Sequence, residues 1–282
     1  MNNKVFDPFE IDFIYKDQRA NKPSLHTHHR YEVFYFHSGK CNYLIGSNIY
    51  MLEPGDILLM NGMTLHSPKV DLNDQYVRSI VHFEHEGITP FLHSLHSLNV
   101  LKPFQEYNNY RLSLRGCEKE EVECILQRMA HYFEKKDTFN YNRFRLNFID
   151  LLYVIFDQFQ SSTEIIDKTK VPNNKENCVQ RIITYLEENY EADITLETLQ
   201  SHLHVNKFYL TKLFKQITGT TIMTFLYEYR INEAKKMFLL DKDISVTTVS
   251  YKVGFKHLSH FSRLFKQHVG ISPEAFKKMY GM

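Results

Sequence analysis

The chain has 282 residues, with 34 Lys and Arg against 33 Asp and Glu, and 40 aromatics divided as 22 Phe, 18 Tyr and no Trp. That length suits two domains of ordinary size, and 43% apolar with 24% charged residues excludes a disordered or fibrous chain. The near-neutral total hides an asymmetry, since residues 1–174 carry 19 basic against 22 acidic side chains and residues 175–282 carry 15 against 11.

Asp7, Glu10 and Asp12 interrupt the first residues, so no secretory leader is expected there. The first domain should open with short strands at Glu32–His37, Cys41–Ile45, Ile49–Leu52, Ile57–Met60 and Tyr76–Phe83, separated by turn residues. Pro54 and Gly55 stand at the two central positions of a type II turn. Strands at this spacing predict a small barrel or sandwich. The period then changes from two to three and four, predicting helices over Glu118–Lys136 and Asn140–Gln160. The second is apolar on more than one face from Phe148 to Phe156, so it is expected to cover the barrel and also, through Leu151 and Ile155, a partner subunit. Asp150 breaks that run, which falls far short of the ~20 apolar residues that span a bilayer, so no membrane is expected as a partner. Cys41, Cys117, Cys124 and Cys178 form no CxxC pair and no zinc-finger spacing, as suits free thiols in a reducing cytoplasm. A polar stretch without periodicity, 161–175, reads as a linker between domains at 1–160 and 176–282.

The C-terminal part contains itself twice. Asp193-Ile-Thr-Leu-Glu-Thr-Leu199 aligns at an offset of 50 with Asp243-Ile-Ser-Val-Thr-Thr-Val249, and Lys212-Leu-Phe-Lys-Gln-Ile-Thr-Gly219 at an offset of 51 with Arg263-Leu-Phe-Lys-Gln-His-Val-Gly270. Each copy reads as helix, tight turn, helix: Leu196–Leu203 then Asn206–Ile217, and Val246–Val253 then Leu258–His268. Asn206 is a good N-cap, and Gly254 suits a turn that needs positive φ. This is the pattern of a helix-turn-helix, whose second helix enters the major groove of duplex DNA. Charge agrees, because neither 198–227 nor 244–273 contains an acid. A surface that docks on one negative charge per ~1.7 Å of duplex must exclude carboxylates first. Between the copies, Ile222–Leu240 is helical in pattern and ~28 Å long at ~1.5 Å per residue, close to the ~34 Å between successive major-groove faces. Leu213, Phe214, Leu264 and Phe265 are expected in the core.

Through Arg230-Ile-Asn-Glu-Ala234, Val253-Gly254-Phe255, Phe261-Ser-Arg-Leu-Phe-Lys266 and Gly270-Ile-Ser-Pro273, the C-terminal hundred residues closely resemble the AraC-type bacterial transcription regulators. The resemblance implies base-reading roles for Phe208, Thr211 and Lys212 in the first copy and for Leu258, Ser259, Ser262 and Arg263 in the second. Lys207, Lys215, Lys256 and Lys266 then look like phosphate contacts. It also implies a homodimer, a small effector such as a sugar or other metabolite, activation of transcription, and RNA polymerase as a partner.

His26-Thr27-His28, Glu32, Gly39 and a later His66 follow the HxH…E…G spacing of cupin barrels, which resembles the sensing barrel of many such regulators. Where cupins place Pro-x-Gly before the last His, this chain has Asn61-Gly62-Met63. Alternation along a strand lets His26, His28 and Glu32 share a face. Together with His66 they read as an effector pocket lined by polar side chains, or as a site for a divalent ion such as Zn, Ni, Mn or Fe. The departure in the loop before His66 favours the pocket without metal. His82, His85, His93 and His96 have ligand-like spacing but read as solvated surface. With no phosphate loop or nucleophile motif, an enzyme is not expected. The whole predicts an α+β chain of two domains, a cupin-like β-barrel with two helices and an all-α domain of two helix-turn-helix motifs joined by a linker helix. A metal-binding cupin, sensor or enzyme, fused to a DNA-binding domain is the alternative.

Overall fold

In the computed structural model, which describes residues 11–19, 25–28, 30–46, 48–70, 74–93, 98–106, 109–135, 137–163, 174–241 and 243–280, strands and helices divide as the change of period implies. The strands are β1 (Asp12–Asp17), β2 (Tyr31–Ser38), β3 (Cys41–Ile45), β4 (Asn48–Met51), β5 (Asp56–Met60), β6 (His66–Val70) and β7 (Val77–Phe83). Two short helices, α1 (His85–His93) and α2 (Lys102–Glu106), precede β8 (Asn109–Ser113). They form a five-stranded sheet in the order β1-β7-β2-β5-β8 and a three-stranded sheet β4-β3-β6, every pairing antiparallel. Alternation decides what each face meets. Phe34 and Phe36 of β2 point between the sheets against Tyr43, Ile45, Leu58 and Met60, and these rings and branches fill the barrel. Val33 and Tyr35 point the other way, onto helices.

Those helices are α3 (Gly116–Phe133) and α4 (Thr138–Thr163). Leu151 and Ile155 of α4 are at most 1% exposed and lie in one core with Val122 and Ile125 of α3 and with Val33 and Ile57 of the sheet. The expectation that these two side chains meet a partner subunit is overturned, because the outer sheet face and α3 together cover the full apolar stripe. What α4 leaves outside is Phe139 and Leu146, 70% and 55% exposed. Residues 164–173, most of the expected linker, lie outside the described residues.

The C-terminal part is helical throughout: α5 (Asn174–Asn189), α6 (Leu196–Leu203), α7 (Lys207–Thr218), α8 (Ile222–Leu240), α9 (Val246–Lys252), α10 (Leu258–Val269) and α11 (Pro273–Tyr280). Asn206 Oδ1 accepts from Phe208 N at 2.9 Å and caps α7, as its residue type implies. Thr195 and Ser245, fifty residues apart, cap α6 and α9 in the same way. Leu213, Phe214 and Phe265 are buried, and Leu264 packs half-buried on the second core. The turn after each first helix places one residue in the left-handed region: His204 at φ +55° in the first copy and Gly254 at φ +85° in the second. At Gly254 a Cβ would lie 2.6 Å from Tyr190 O and 2.8 Å from both Glu191 O and Arg230 Nη2, so only glycine fits.

The long helix α8 serves two cores. Ile222, Phe225 and Leu226 join the first copy, and Ile231, Ala234 and Phe238 join the second. The first core continues into the barrel through Leu25, Leu44 and Leu65. Hydrogen bonds from Asn232 Nδ2 to Met63 O (3.2 Å), from Lys235 Nζ to Thr27 Oγ1 (2.6 Å) and from Lys69 Nζ to Gln216 O close the junction.

Candidate nucleic-acid interface and sensor cluster

Helices α7 and α10 each bury one stripe and expose another. Leu210, Leu213 and Phe214 face inward on α7, and Phe261 and Phe265 on α10. Phe208 (75% exposed), Lys212 and Lys215 stand on the outer side of α7, with Thr211 half-buried between them. On α10 the outer side carries Ser259, Arg263 and Lys266, with Ser262 half-buried. Neither helix holds a carboxylate. Leu258, half-buried, turns part of its surface onto the second core. Two of the expected phosphate contacts have carboxylate partners from just outside the acid-free windows: Lys207 pairs with Glu197 and Lys256 with Asp193. Such exposed pairs are weak because water screens them, so a phosphate can displace either carboxylate.

The second site lies where the two sheets open at one end of the barrel. Register puts His82 directly opposite Glu32 on neighbouring strands, and both side chains point between the sheets. From the facing sheet comes His66, which exchanges both backbone hydrogen bonds with His26 at 3.1 Å. His28 Nε2 and His82 Nε2 each lie 3.0 Å from Glu32 Oε2, and His66 Nε2 lies 3.5 Å from it. Burial by itself would push the Glu32 carboxyl up, but the imidazoles gathered around it outweigh burial and hold the carboxyl well below the ordinary carboxylate range. The histidine and glutamate positions expected from spacing are therefore brought together. His82, read from sequence as surface, is a correction, because its partner comes through strand pairing and no local pattern announces it. His85 instead lies beside the ring of Tyr31, and His96 lies outside the described residues.

The altered loop before His66 also behaves differently from expectation. Asn61 Oδ1 accepts from Met63 N (3.1 Å) and Thr64 N (3.3 Å), folding the loop on itself. Gly62, at φ +73°, lies so close to His28 that a Cβ would be 2.4 Å from its Nδ1. Without Pro-x-Gly, the loop still delivers His66 to Glu32. A cleft of about 340 Å³ lined by Asp12, His28, Arg30, His82 and Glu84 opens beside the cluster.

A barrel with a polar cluster at its mouth, packed against α5, α7 and α8 of a helical part whose α7 and α10 carry no carboxylate, fits a DNA-binding regulator with a ligand-binding domain. Residues 199–279 match the model of a helix-turn-helix domain and residues 9–135 that of the AraC-like ligand binding domain. An HTH-type transcriptional regulator from the cgkA 5′ region of Pseudoalteromonas carrageenovora is 37% identical over 124 residues, which are 44% of this chain and 73% of that protein. The HTH-type transcriptional regulator YdiP of Escherichia coli is 22% identical over 276 residues, 95% of this chain and 85% of YdiP. Among solved structures, ToxT from Vibrio cholerae aligns over 97% of this chain and 99% of its own with 14% identity and a TM-score of 0.38. The chain belongs to the AraC family of helix-turn-helix transcription regulators.

Proposed function

We propose that the protein is a cytoplasmic transcription activator, a homodimer with no enzymatic activity of its own. Its barrel takes a small effector, a sugar or other metabolite, at His26, His28, Glu32 and His66, with His82 added to that set. Residues 1–160 sense and dimerise, 161–175 link, and 176–282 bind promoter DNA and work beside RNA polymerase. The outer face of α4 around Phe139 and Leu146 is the dimer contact, in place of Leu151 and Ile155. Base edges are read by Phe208, Thr211 and Lys212 and by Leu258, Ser259, Ser262 and Arg263. Lys207, Lys215, Lys256 and Lys266 hold phosphates.

The observation that carries the DNA-binding part is the pairing of two buried stripes with two outward faces free of carboxylates, on helices tied to one rod. Selection of binding sites from a random duplex pool tests it. Arg263→Ala should lose preference at one base position and ~1–3 kcal/mol of affinity, as expected for a guanidinium on a guanine edge. Lys266→Ala should weaken all sequences alike and flatten the salt dependence. Unchanged base preference for Arg263→Ala would move the reading face off α10.

A further inference from the structure

Glu32 Oε2 is approached by three Nε2 atoms, and the opposite ring nitrogens of two of those histidines are already engaged. His28 Nδ1 lies 3.0 Å from the carbonyl oxygen of Arg30, and His66 Nδ1 lies 2.7 Å from that of Thr64. A carbonyl only accepts, so each Nδ1 carries a proton and donates it. In a neutral imidazole that leaves Nε2 with a bare lone pair. Two such lone pairs therefore face a carboxylate oxygen at 3.0 and 3.5 Å, and His66 Nε2, fully buried, finds no hydrogen-bond partner among the described residues.

Like faces like in that arrangement unless a cation sits between. Protonating both rings would place two imidazolium ions, centroids 5.0 Å apart, in one largely buried space. A single divalent ion removes the repulsion with one charge. Ligand atoms bonded at ~2.0–2.1 Å to a shared metal stand ~2.9–3.4 Å from one another in octahedral to tetrahedral geometry, close to the distances found here. A backbone carbonyl holding the far N–H is the outer-shell contact that fixes a metal-binding tautomer. Imidazoles with one carboxylate suit zinc and its late first-row neighbours, where calcium and magnesium want oxygen alone.

We propose that the barrel holds one divalent transition-metal ion, zinc by ligand chemistry, on His28, His66, His82 and Glu32 with His26 alongside, and that this ion sets how the DNA-binding domain is seated. The inference rests on the reading of the cluster as the sensor's ligand site and names what that site holds directly. The coupling follows from where the ligands sit in the chain. Thr27, between two of the histidines, accepts from Lys235 of α8, and Met63 in the loop before His66 accepts from Asn232. Leu25 and Leu65, each next to a histidine of the cluster, belong to the core shared with α5, α7 and α8. Drawing His28 and His66 onto one ion fixes both segments and so the surface on which α8 rests. His28 and His82 keep 23% and 26% of their side chains exposed on the cleft side, which leaves a coordination position open to a small effector.

The full-length chain, stripped with a chelator and dialysed, is titrated with Co(II), then competed with Zn(II), and followed by visible absorption and by hydrogen exchange. One equivalent per chain should bind with the absorption of cobalt on nitrogen and oxygen ligands, be displaced by zinc, and slow exchange over residues 230–236. His82→Ala, which lies off the domain junction, and Glu32→Gln should each weaken Co(II) by more than ~100-fold, beyond the loss that follows removal of an outer-shell partner. No ion held by the folded wild-type chain at one equivalent overturns the site. A full equivalent retained by both variants places the ion elsewhere and overturns it equally. Binding without any change in exchange over 222–240 overturns the coupling. The sensor reading fails by a different result: an unaltered response of a bound promoter in reporter cells carrying the His28→Ala/His82→Ala double variant, whether or not metal binds.

Discussion

The first helix-turn-helix copy closes Leu210, Phe214 and Phe225 into a core that also contains Leu25, Leu44 and Leu65 of the barrel, whereas the second closes Phe261, Phe265 and Phe276 into a core of its own. The two descend from one sequence frame, with caps at equivalent positions and a left-handed residue at the same place in each turn. What separates them is continuity with the sensor. Any change in the barrel reaches the first copy through shared side chains and the second through α8 and the segment after α5, where Tyr190, Glu191 and Asp193 meet Gly254 and Lys256. A duplicated motif can in this way carry two roles, one head governed by the sensor and one head following it.

The largest test of this difference comes from core truncation. Phe214→Ala and Phe265→Ala should each cost about 3–5 kcal/mol, the usual range for a buried phenyl ring. Hydrogen exchange should then part them: Phe214→Ala loosens β3 and β6 as well as the first copy, while Phe265→Ala leaves barrel protection unchanged. Equal disturbance of the barrel by both would erase the distinction.

A pH series sharpens it next. Glu228 of α8 faces His268 of α10 at 3.5 Å, and its Oε2 makes no hydrogen bond among the described residues. Burial pushes its carboxyl up to about 7 from the ordinary 4.5. A carboxyl raised on folding contributes stability that is full below about 4.5 and lost as pH rises through about 7. Burial holds the His268 ring below its usual value, which acts in the opposite sense, so the informative quantity is Glu228→Gln minus wild type. That difference should be near zero at pH 4 and favour the variant by on the order of 3 kcal/mol at pH 8, as read from urea midpoints. A flat difference would mean that the carboxylate is already well solvated.

The smallest effects lie in the turns. Gly254→Ala should cost about 1–3 kcal/mol or more, from the positive φ and from the three close atoms around Cβ. At the equivalent place in the first copy, His204→Gly relieves a left-handed side chain but frees the unfolded backbone, so its unfolding free energy should stay within about 1 kcal/mol of wild type. A Gly254→Ala change as mild as His204→Gly would show that the second turn has room to shift.

Most of the helical domain was legible because a repeat presents its caps, turns and apolar stripes twice, and α8 runs over the residues its periodicity implies. The strands that pattern missed have identifiable reasons. β6 contains Pro68, which argues against a strand, while β1 and β8 are short edge strands with polar residues in them. His82 was missed because it meets Glu32 through register between strands fifty residues apart, information that no local spacing holds. The error at Leu151 and Ile155 came from assigning an all-round apolar helix to a second subunit, when α3 and the outer sheet face suffice to bury it.

Arg230 has a further consequence. Its guanidinium donates to Tyr190 O (2.7 Å) and Ala192 O (2.6 Å) beyond the end of α5, and lies within 6.0 Å of the rings of Tyr227 and Phe255. One side chain thus pins the middle of α8 to the entrance of the first copy and the turn of the second, tying together the two copies that carry α7 and α10. A duplex engaged by both helices would have to conform to the spacing that α8 sets, so its base steps between the two contacted segments would be selected by how readily they deform.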